Sequence, residues 1–341
     1  MDSLSFRYFA CRLTHKKFER NILQVKKGLT LCVVLMISLL LSSCSEAGTT
    51  KQIRATLFLL DASKSMIRTV SEREQQLKER LNGAFDKEEA IYFDFIRNDY
   101  TKQVISPLIS MQSIISVNDV VLEDAKDEKR RKEVKATISS LWQQSLADSR
   151  SSDACIQFVR DGLLRDTVIQ DLGARRVAQN ICVSASKAKE TFANIRTIGS
   201  GGAIENGYIG SDIEGAFIRG LKRLESESGN LINSANESVR VRAMIVISSD
   251  MVQRKADSES IVKSIRNMTS EEISEFVTES RGEQEFRELR PLVKIDGWLS
   301  TKQNFSEQDR QALELYWKKW FSTLDLDEPD FGFGVIDWSV D

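Results

Sequence analysis

The stretch TLFLLDASKSM, Thr56 to Met66, decides the fold class, because a run of strand-forming residues ends in an acid and two hydroxyls. The apolar residues of Ile53–Leu60 predict a buried strand. Asp61, Ser63 and Ser65 follow at alternate positions, so their side chains point the same way in an extended turn. Oxygen-bearing side chains that converge at the end of a buried strand indicate a binding loop.

The chain continues from this loop as alternating helix and strand. Ser71–Phe85 carries apolar residues at four-residue steps and predicts an amphipathic helix. Ala90–Ile96 predicts a second strand, and Lys102–Ser106 its antiparallel hairpin partner. Strand, helix and strand in this order predict an α/β fold with a central, mostly parallel sheet flanked by helices.

The same pattern resumes after a glycine-rich loop that delivers Ser211 to the start of a helix. Val239–Asp250 predicts a central strand, and this strand also ends in hydroxyls and an acid. A helix over Ser258–Glu279, a strand over Leu292–Leu299 and a helix over Ser306–Leu324 complete the series. The last helix has an apolar stripe interpreted as the face packed on the sheet: Leu313, Tyr316, Trp317, Trp320, Phe321 and Leu324.

Between the two α/β parts lies a mainly helical insertion, at about residues 108–198. Its charge run Glu123–Lys135 has mixed signs at three- and four-residue spacing, which is typical of a solvated helix face. The predicted domain therefore covers residues 53–341, interrupted by this insertion.

The amino terminus has the features of a secretion signal. The apolar run Leu29–Leu41 follows two lysines and is short for a membrane span but suits a signal-peptide core. It leads into LSSC, Leu41 to Cys44, which resembles the bacterial lipobox, whose cysteine is acylated after cleavage. Residues 1–43 are then the signal peptide and residues 44–52 a tether; the alternative is an uncleaved anchor. The resemblance implies a lipid-anchored, periplasm-facing protein of the cell envelope, and Ser45 favours the outer membrane.

Cleavage before Cys44 changes the charge and removes a whole class of chemistry. The lost segment has seven basic and two acidic residues, which leaves 41 basic and 48 acidic residues. This excess of acidic residues disfavours a nucleic-acid partner. The only histidine, His15, is also lost, which excludes histidine-dependent nucleophiles and histidine-ligated zinc. We therefore do not expect an enzyme.

Two cysteines, Cys155 and Cys182, remain after the signal is removed and Cys44 is acylated. In an oxidising compartment they predict a disulfide. The alternative is a pair of buried free thiols.

The oxygen-bearing loops can form one site, because ligands of open α/β sheets bind where the carboxyl ends of the strands meet. The candidate ligands are Asp61, Ser63, Ser65, Ser211 and Asp250. An all-oxygen set of this kind suits Mg²⁺ first, and also Mn²⁺ or Ca²⁺. The alternative for Asp61 alone is a helix cap.

The segments FLLDASKSM, GSDIEGAF and IVISSDM resemble, in order, the three parts of the metal-ion-dependent adhesion site of von Willebrand factor A domains. The resemblance implies a Rossmann-like fold in which hydroxyls contact the ion and the two aspartates act directly or through water. Ser211 stands in place of a threonine, and Ser249-Asp250-Met251 in place of Thr-Asp-Gly, which stiffens that loop.

The resemblance also implies a function. In the family an acidic side chain of a protein partner completes the coordination of the ion, so we expect a lipid-anchored adhesion protein. One alternative is a metal-free scaffold lipoprotein of an envelope assembly or transfer machine. Another is a phosphoryl-transfer or hydrolytic enzyme, which the missing histidine and the missing phosphate loop disfavour.

Overall fold

The structure is a computed structural model that describes most of the chain from Lys51 onwards. The predicted signal peptide and four predicted site residues, Cys44, Ser63, Ser65 and Ser211, lie outside the described residues. The described ranges are 51–61, 70–96, 105–167, 169–200, 212–234, 239–252, 260–281, 289–296 and 305–331.

A six-stranded sheet with the order β3-β2-β1-β4-β5-β6 forms the centre of the described chain. Five strands run parallel, and the edge strand β3 is antiparallel to β2. The mostly parallel α/β sheet predicted from the sequence is thus confirmed. The strands are β1 Lys51–Asp61, β2 Glu89–Ile96, β3 Ser106–Ile109, β4 Val239–Ser248, β5 Leu292–Asp296 and β6 Asp330–Phe331.

Helices connect and cover these strands. The described helices are α1 Val70–Asn82, α2 Met111–Asp124, α3 Glu128–Ala147, α4 Ser152–Asp166, α5 Asp171–Gly199, α6 Ile213–Ser234, α7 Ile261–Ile265, α8 Ser270–Arg281 and α9 Glu307–Thr323. None of these helices is long and apolar enough to cross a bilayer.

One face of the sheet packs on α6 and α9. Gly220 allows this close approach, because a Cβ atom at this position would lie 2.2 Å from Leu57 Cδ2. The ring of Phe217 in α6 packs edge-to-face on Trp320 and Phe321 of α9, at centroid distances of 5.5 and 5.1 Å. The stripe predicted for the last helix is fully buried here, which confirms its assignment to the core.

The opposite face packs on α1 and on α5 of the insertion. Lys78 Nζ of α1 lies 5.3 Å from the ring centroid of Phe192 in α5, and Arg196 of α5 forms an ion pair of 3.5 Å with Glu74. A disulfide joins Cys155 of α4 to Cys182 of α5, with the two Cα atoms 5.9 Å apart. The insertion is therefore packed on the α/β core.

Three boundaries differ from the sequence interpretation. The described edge strand covers Ser106–Ile109 and so continues beyond the end predicted at Ser106, while residues 102–104 of the predicted strand lie outside the described residues. Strand β1 begins at Lys51, so its first two residues belong to the predicted tether. The single helix predicted over Ser258–Glu279 is wrong: α7 ends at Ile265 and α8 starts at Ser270. Thr269 causes this break, because its hydroxyl accepts from Glu272 N at 3.2 Å while the Glu272 carboxylate accepts from Thr269 N at 2.7 Å, forming a capping box.

Candidate functional site

The candidate site lies at the switch point of the sheet, between β1 and β4. The chain leaves β1 towards β2 on one side and leaves β4 towards β5 on the other, which opens a crevice at the carboxyl ends of the two strands. The register pairs Leu60 with Ser248. Asp61, at the end of β1, therefore comes beside Ser249, the residue after β4.

Asp61 is fully buried, and a hydrogen bond from the neighbouring loop orients its carboxylate. Ser249 Oγ donates to Asp61 Oδ2 at 2.8 Å and accepts from Met251 N at 3.0 Å. The backbone N–H of Ser249 donates to the carbonyl oxygen of Asp296 in β5 at 2.9 Å. Ser249 thus connects the ends of three adjacent strands and holds one carboxylate oxygen of Asp61 in place.

Asp250 is also buried, and its loop has an unusual backbone. Asp250 Oδ1 accepts from Val252 N at 3.0 Å, which closes a tight turn. Met251 in this turn has a φ of 61°, in the left-handed region that glycine adopts most readily. Trp317 of α9 supports the turn, because its Nε1–H donates to the Met251 carbonyl oxygen at 2.9 Å.

Asp212 precedes α6 and acts as its cap. Its Oδ1 accepts from Gly215 N at 3.0 Å, as expected for an acid before the first turn of a helix. In that first turn, Glu214 accepts a hydrogen bond from the Tyr316 hydroxyl of α9. The helix that follows the predicted ligand Ser211 is therefore fixed against both the sheet and α9.

A third acid at this edge, Asp296, forms an ion pair with Arg73 of α1. Beside this pair is a cavity of about 20 Å³, lined by Leu60, Arg73, Ile195, Ser248 and Asp296. A cavity of this size holds about one water molecule. It has no room for a small-molecule substrate.

The structure brings Asp61 and Asp250 to the ends of adjacent strands, as the sequence predicts, while the three serines of the predicted set lie outside the described residues. Among the described residues no three His, Cys, Asp or Glu side chains form a group that could hold a metal. Two buried carboxylates with an oriented hydroxyl beside them fit the donor chemistry of a hard divalent cation.

Sequence reasoning missed two features of this edge. The sequence indicates Ser249 only as a replacement in a motif, because its hydrogen bond to Asp61 joins residues 188 positions apart and has no local signal. Asp296 was placed inside a predicted strand that ran on to Leu299, although an acid at a strand end is the signal that identified Asp61. Its partner Arg73 lies in the first turns of α1, inside the helix predicted over Ser71–Phe85, and no local signal marks it as a partner of Asp296.

Comparisons with known proteins leave the chain without a family assignment. A scan against protein-family models, a search of curated proteins and a search of solved structures each find no match.

Proposed function

We propose that this chain is a lipid-anchored envelope protein that binds a protein partner through a divalent cation, in the manner of the von Willebrand factor A domains that its three motifs resemble. The observation that carries the proposal is the burial of Asp61 and Asp250 together at the switch point of the sheet. Ligands of open α/β sheets bind at this place.

Asp61 and Asp250 would hold the ion, directly or through water, together with the hydroxyls of Ser63, Ser65 and Ser211. The bound cation, Mg²⁺ in the first instance, would supply an open coordination position for an acidic side chain of the partner. Ser249 would act as a positioning residue, because its hydroxyl orients the carboxylate of Asp61. No catalytic step is part of this function.

A second candidate is the metal-free scaffold. One observation favours it: both carboxylates accept hydrogen bonds from the protein itself, Asp61 from Ser249 Oγ and Asp250 from Val252 N. Such bonds stabilise the acids without an ion. Metal binding therefore separates the two candidates.

Calorimetric titration of the wild-type chain with Mg²⁺ and Mn²⁺ is the decisive measurement of metal binding. Unfolding with and without the metal gives its effect on stability. At a metal concentration of about 100 times the dissociation constant, the free energy of unfolding should rise by about 2.7 kcal/mol. Asp61→Ala should remove this gain and partner binding while the fold persists, because the variant also removes repulsion between two acids. Ser211→Thr should keep metal binding, and Ser211→Ala should weaken it.

Asp94→Ala is the matched control, because Asp94 is a buried acid of the neighbouring strand β2 that pairs with Arg219 at 3.7 Å and is not one of the predicted ligands. This variant should lower stability and keep the metal-dependent gain. Two results together would establish the metal-free scaffold instead. The chain would bind neither Mg²⁺ nor Mn²⁺ at millimolar concentration, and Asp61→Ala would still capture the partner in the presence of a chelator.

The anchor is tested separately at Cys44. Cys44→Ala should abolish labelling with radioactive fatty acid and leave an uncleaved precursor, because processing of lipobox proteins requires the acylated cysteine. Unchanged processing of this variant would exclude the lipid anchor and leave the metal site as an independent question.

A further inference from the structure

The amino-terminal half of β4 is exposed on the face that α1 covers further along the strand. Arg240 and Arg242 are exposed although β4 is a central strand, and the strands of parallel sheets are normally buried on both faces. Side chains alternate along a strand, so Arg240, Arg242 and Met244 share one face. Arg54 of β1 is in register with Arg242 and lies on the same face, half-buried.

These three arginines form an arginine face, defined here as Arg54, Arg240 and Arg242. Within the described ranges none of the three forms an ion pair with a carboxylate. Leu292 of β5 is in register with Met244 and is 42% exposed on the same face. A cationic surface with an apolar side chain at its border is thus accessible on a protein whose mature chain is acidic.

Exposed apolar side chains concentrate at this same end of the sheet. Lys51, the first residue of β1, forms an ion pair of 2.8 Å with Asp119 of α2. The end of α2 is in turn bonded to the segment before α5, where Gln170 N donates to Asp124 Oδ2 at 3.1 Å. The described chain exposes five large apolar side chains, and three belong to this end: Leu122, Leu172 and Leu292.

The position of Cys44 explains why this end would carry such a surface. Cys44 is seven residues before Lys51, so the intervening chain spans at most about 25 Å. Asp61 lies at the other end of β1, about 33 Å further on at the rise of an extended strand. An acylated Cys44 therefore holds the amino end of the sheet near the bilayer and allows the carboxyl end to face away.

We propose that the amino end of the sheet, with its arginine face and exposed leucines, lies on a membrane surface of anionic phospholipid headgroups. The proposal rests on the lipid anchor of the proposed function and extends it, because it orients the Asp61 and Asp250 edge towards a partner outside the membrane. Arginines within a Debye length of an anionic surface are attracted to it, and each shifts the docked population by about fivefold.

Fluorescence quenching in the acylated full chain, reconstituted in vesicles, tests the proposal. In the mature chain Cys44 is acylated and Cys155 is bonded to Cys182, so Leu292→Cys provides a single thiol for a fluorophore. Vesicles of phosphatidylglycerol that contain a headgroup-labelled quencher lipid should quench this fluorophore. Vesicles of phosphatidylcholine with the same quencher should quench it severalfold less.

Glu307→Cys, an exposed position at the start of α9, is the control site. Trp317 of α9 contacts Met251 at the carboxyl end of the sheet. Asp325, after the end of α9, pairs with Arg290, just before β5 at the amino end. Glu307 at the start of α9 therefore lies far from the arginine face. A fluorophore there should stay unquenched in both vesicles.

Arg240→Ala/Arg242→Ala should abolish the preference for phosphatidylglycerol. In the parent chain 0.5 M salt should weaken the preference, because it shortens the Debye length to about 4 Å. Lys263→Ala/Arg310→Ala, which removes two exposed cations from the carboxyl end, should leave it unchanged. Mass spectrometry first establishes that Cys44 is acylated. Equal quenching in the two lipids then overturns the docking surface alone, and so does an arginine variant that keeps the preference for phosphatidylglycerol. An unacylated Cys44 overturns the anchor and the orientation with it.

Discussion

The two ends of the parallel sheet carry opposite charges. Every strand except β3 runs in the same direction, so residues that begin strands collect at one end and residues that follow strands collect at the other. A parallel sheet thereby converts positions along separate strands into two distinct surfaces. The amino end exposes Arg240 and Arg242 beside the half-buried Arg54, whereas the carboxyl end buries Asp61, Asp250 and Asp296.

The ends also differ in how their buried acids are held. At the amino end, Arg80 Nη2 and Nε donate to Glu89 Oε1 at 2.7 and 2.8 Å, and Thr56 adds a third hydrogen bond. At the carboxyl end, hydrogen bonds between loops position Asp61 and Asp250. A pair inside a helix and strand belongs to the core, whereas loop contacts can respond to a ligand.

The largest effect is expected from breaking the ion pair at the amino end. Arg80→Ala leaves Glu89 as a buried charge without its cation, so the free energy of unfolding should fall by about 3 to 5 kcal/mol in urea denaturation. Arg80→Leu/Glu89→Leu, which removes both charges, should recover most of this loss. A loss below about 1 kcal/mol for the single variant would contradict the role given to this pair.

Removal of the disulfide should separate stability from the carboxyl-end site. Cys155→Ala/Cys182→Ala should lower the free energy of unfolding by about 3 to 4 kcal/mol, because the bond restricts the unfolded chain. The response of the melting temperature to Mg²⁺ should be the same as in the parent chain, since the bond joins two insertion helices. Two alkylatable thiols in the native parent protein would show that the pair is reduced.

The sequence predicts the sheet well, because its strands are apolar runs with strong local signals. Ile53–Leu60 and Ala90–Ile96 are strands with shifts of one or two residues at their ends. Strand order is a property of tertiary packing and needed the structure. The break at Thr269 carried a local signal, a threonine with a glutamate three residues later, but the apolar period on both sides concealed it.

The candidate site is less accessible to sequence reasoning. Acids after strands identify Asp61 and Asp250 and also the edge at which they meet. The contacts that hold them join distant parts of the chain, such as Ser249 with Asp61 and Trp317 with Met251. The spacing of Trp317 along the sequence predicts its place in the core. It does not predict that the indole N–H also supports a loop of the site.

An intermediate effect is expected from loosening that loop. Trp317→Phe keeps a buried ring but removes the hydrogen bond to the Met251 carbonyl oxygen, which should cost about 2 kcal/mol of unfolding free energy. The left-handed backbone of Met251 then loses a support, so the affinity for Mg²⁺ should fall as well. Trp320→Phe makes the same change in volume elsewhere in α9 and should leave the affinity for Mg²⁺ unchanged. Equal affinities of the parent chain and both variants would show that α9 does not support the site.

The smallest effect should be confined to acid pH and concerns the start of α9. Hydrogen bonds from Arg266 and Ser306 lower the pKa of the Asp309 carboxyl, so this group stabilises the fold fully above its unfolded pKa of about 3.9 and less as the pH falls through its folded pKa. The difference in unfolding free energy between the parent chain and Asp309→Asn should be constant from about pH 5 to 7 and should shrink below about pH 4. Asp171→Asn is the control, because Arg160 lowers the pKa of Asp171 in the same way but the Asp171 side chain is 47% exposed, so solvent screens the interaction. A difference for Asp309→Asn that stays constant down to pH 2 would mean that the hydrogen bonds of the Ser306 cap, and not the charge of Asp309, hold α9 and its Trp317 against the carboxyl end of the sheet.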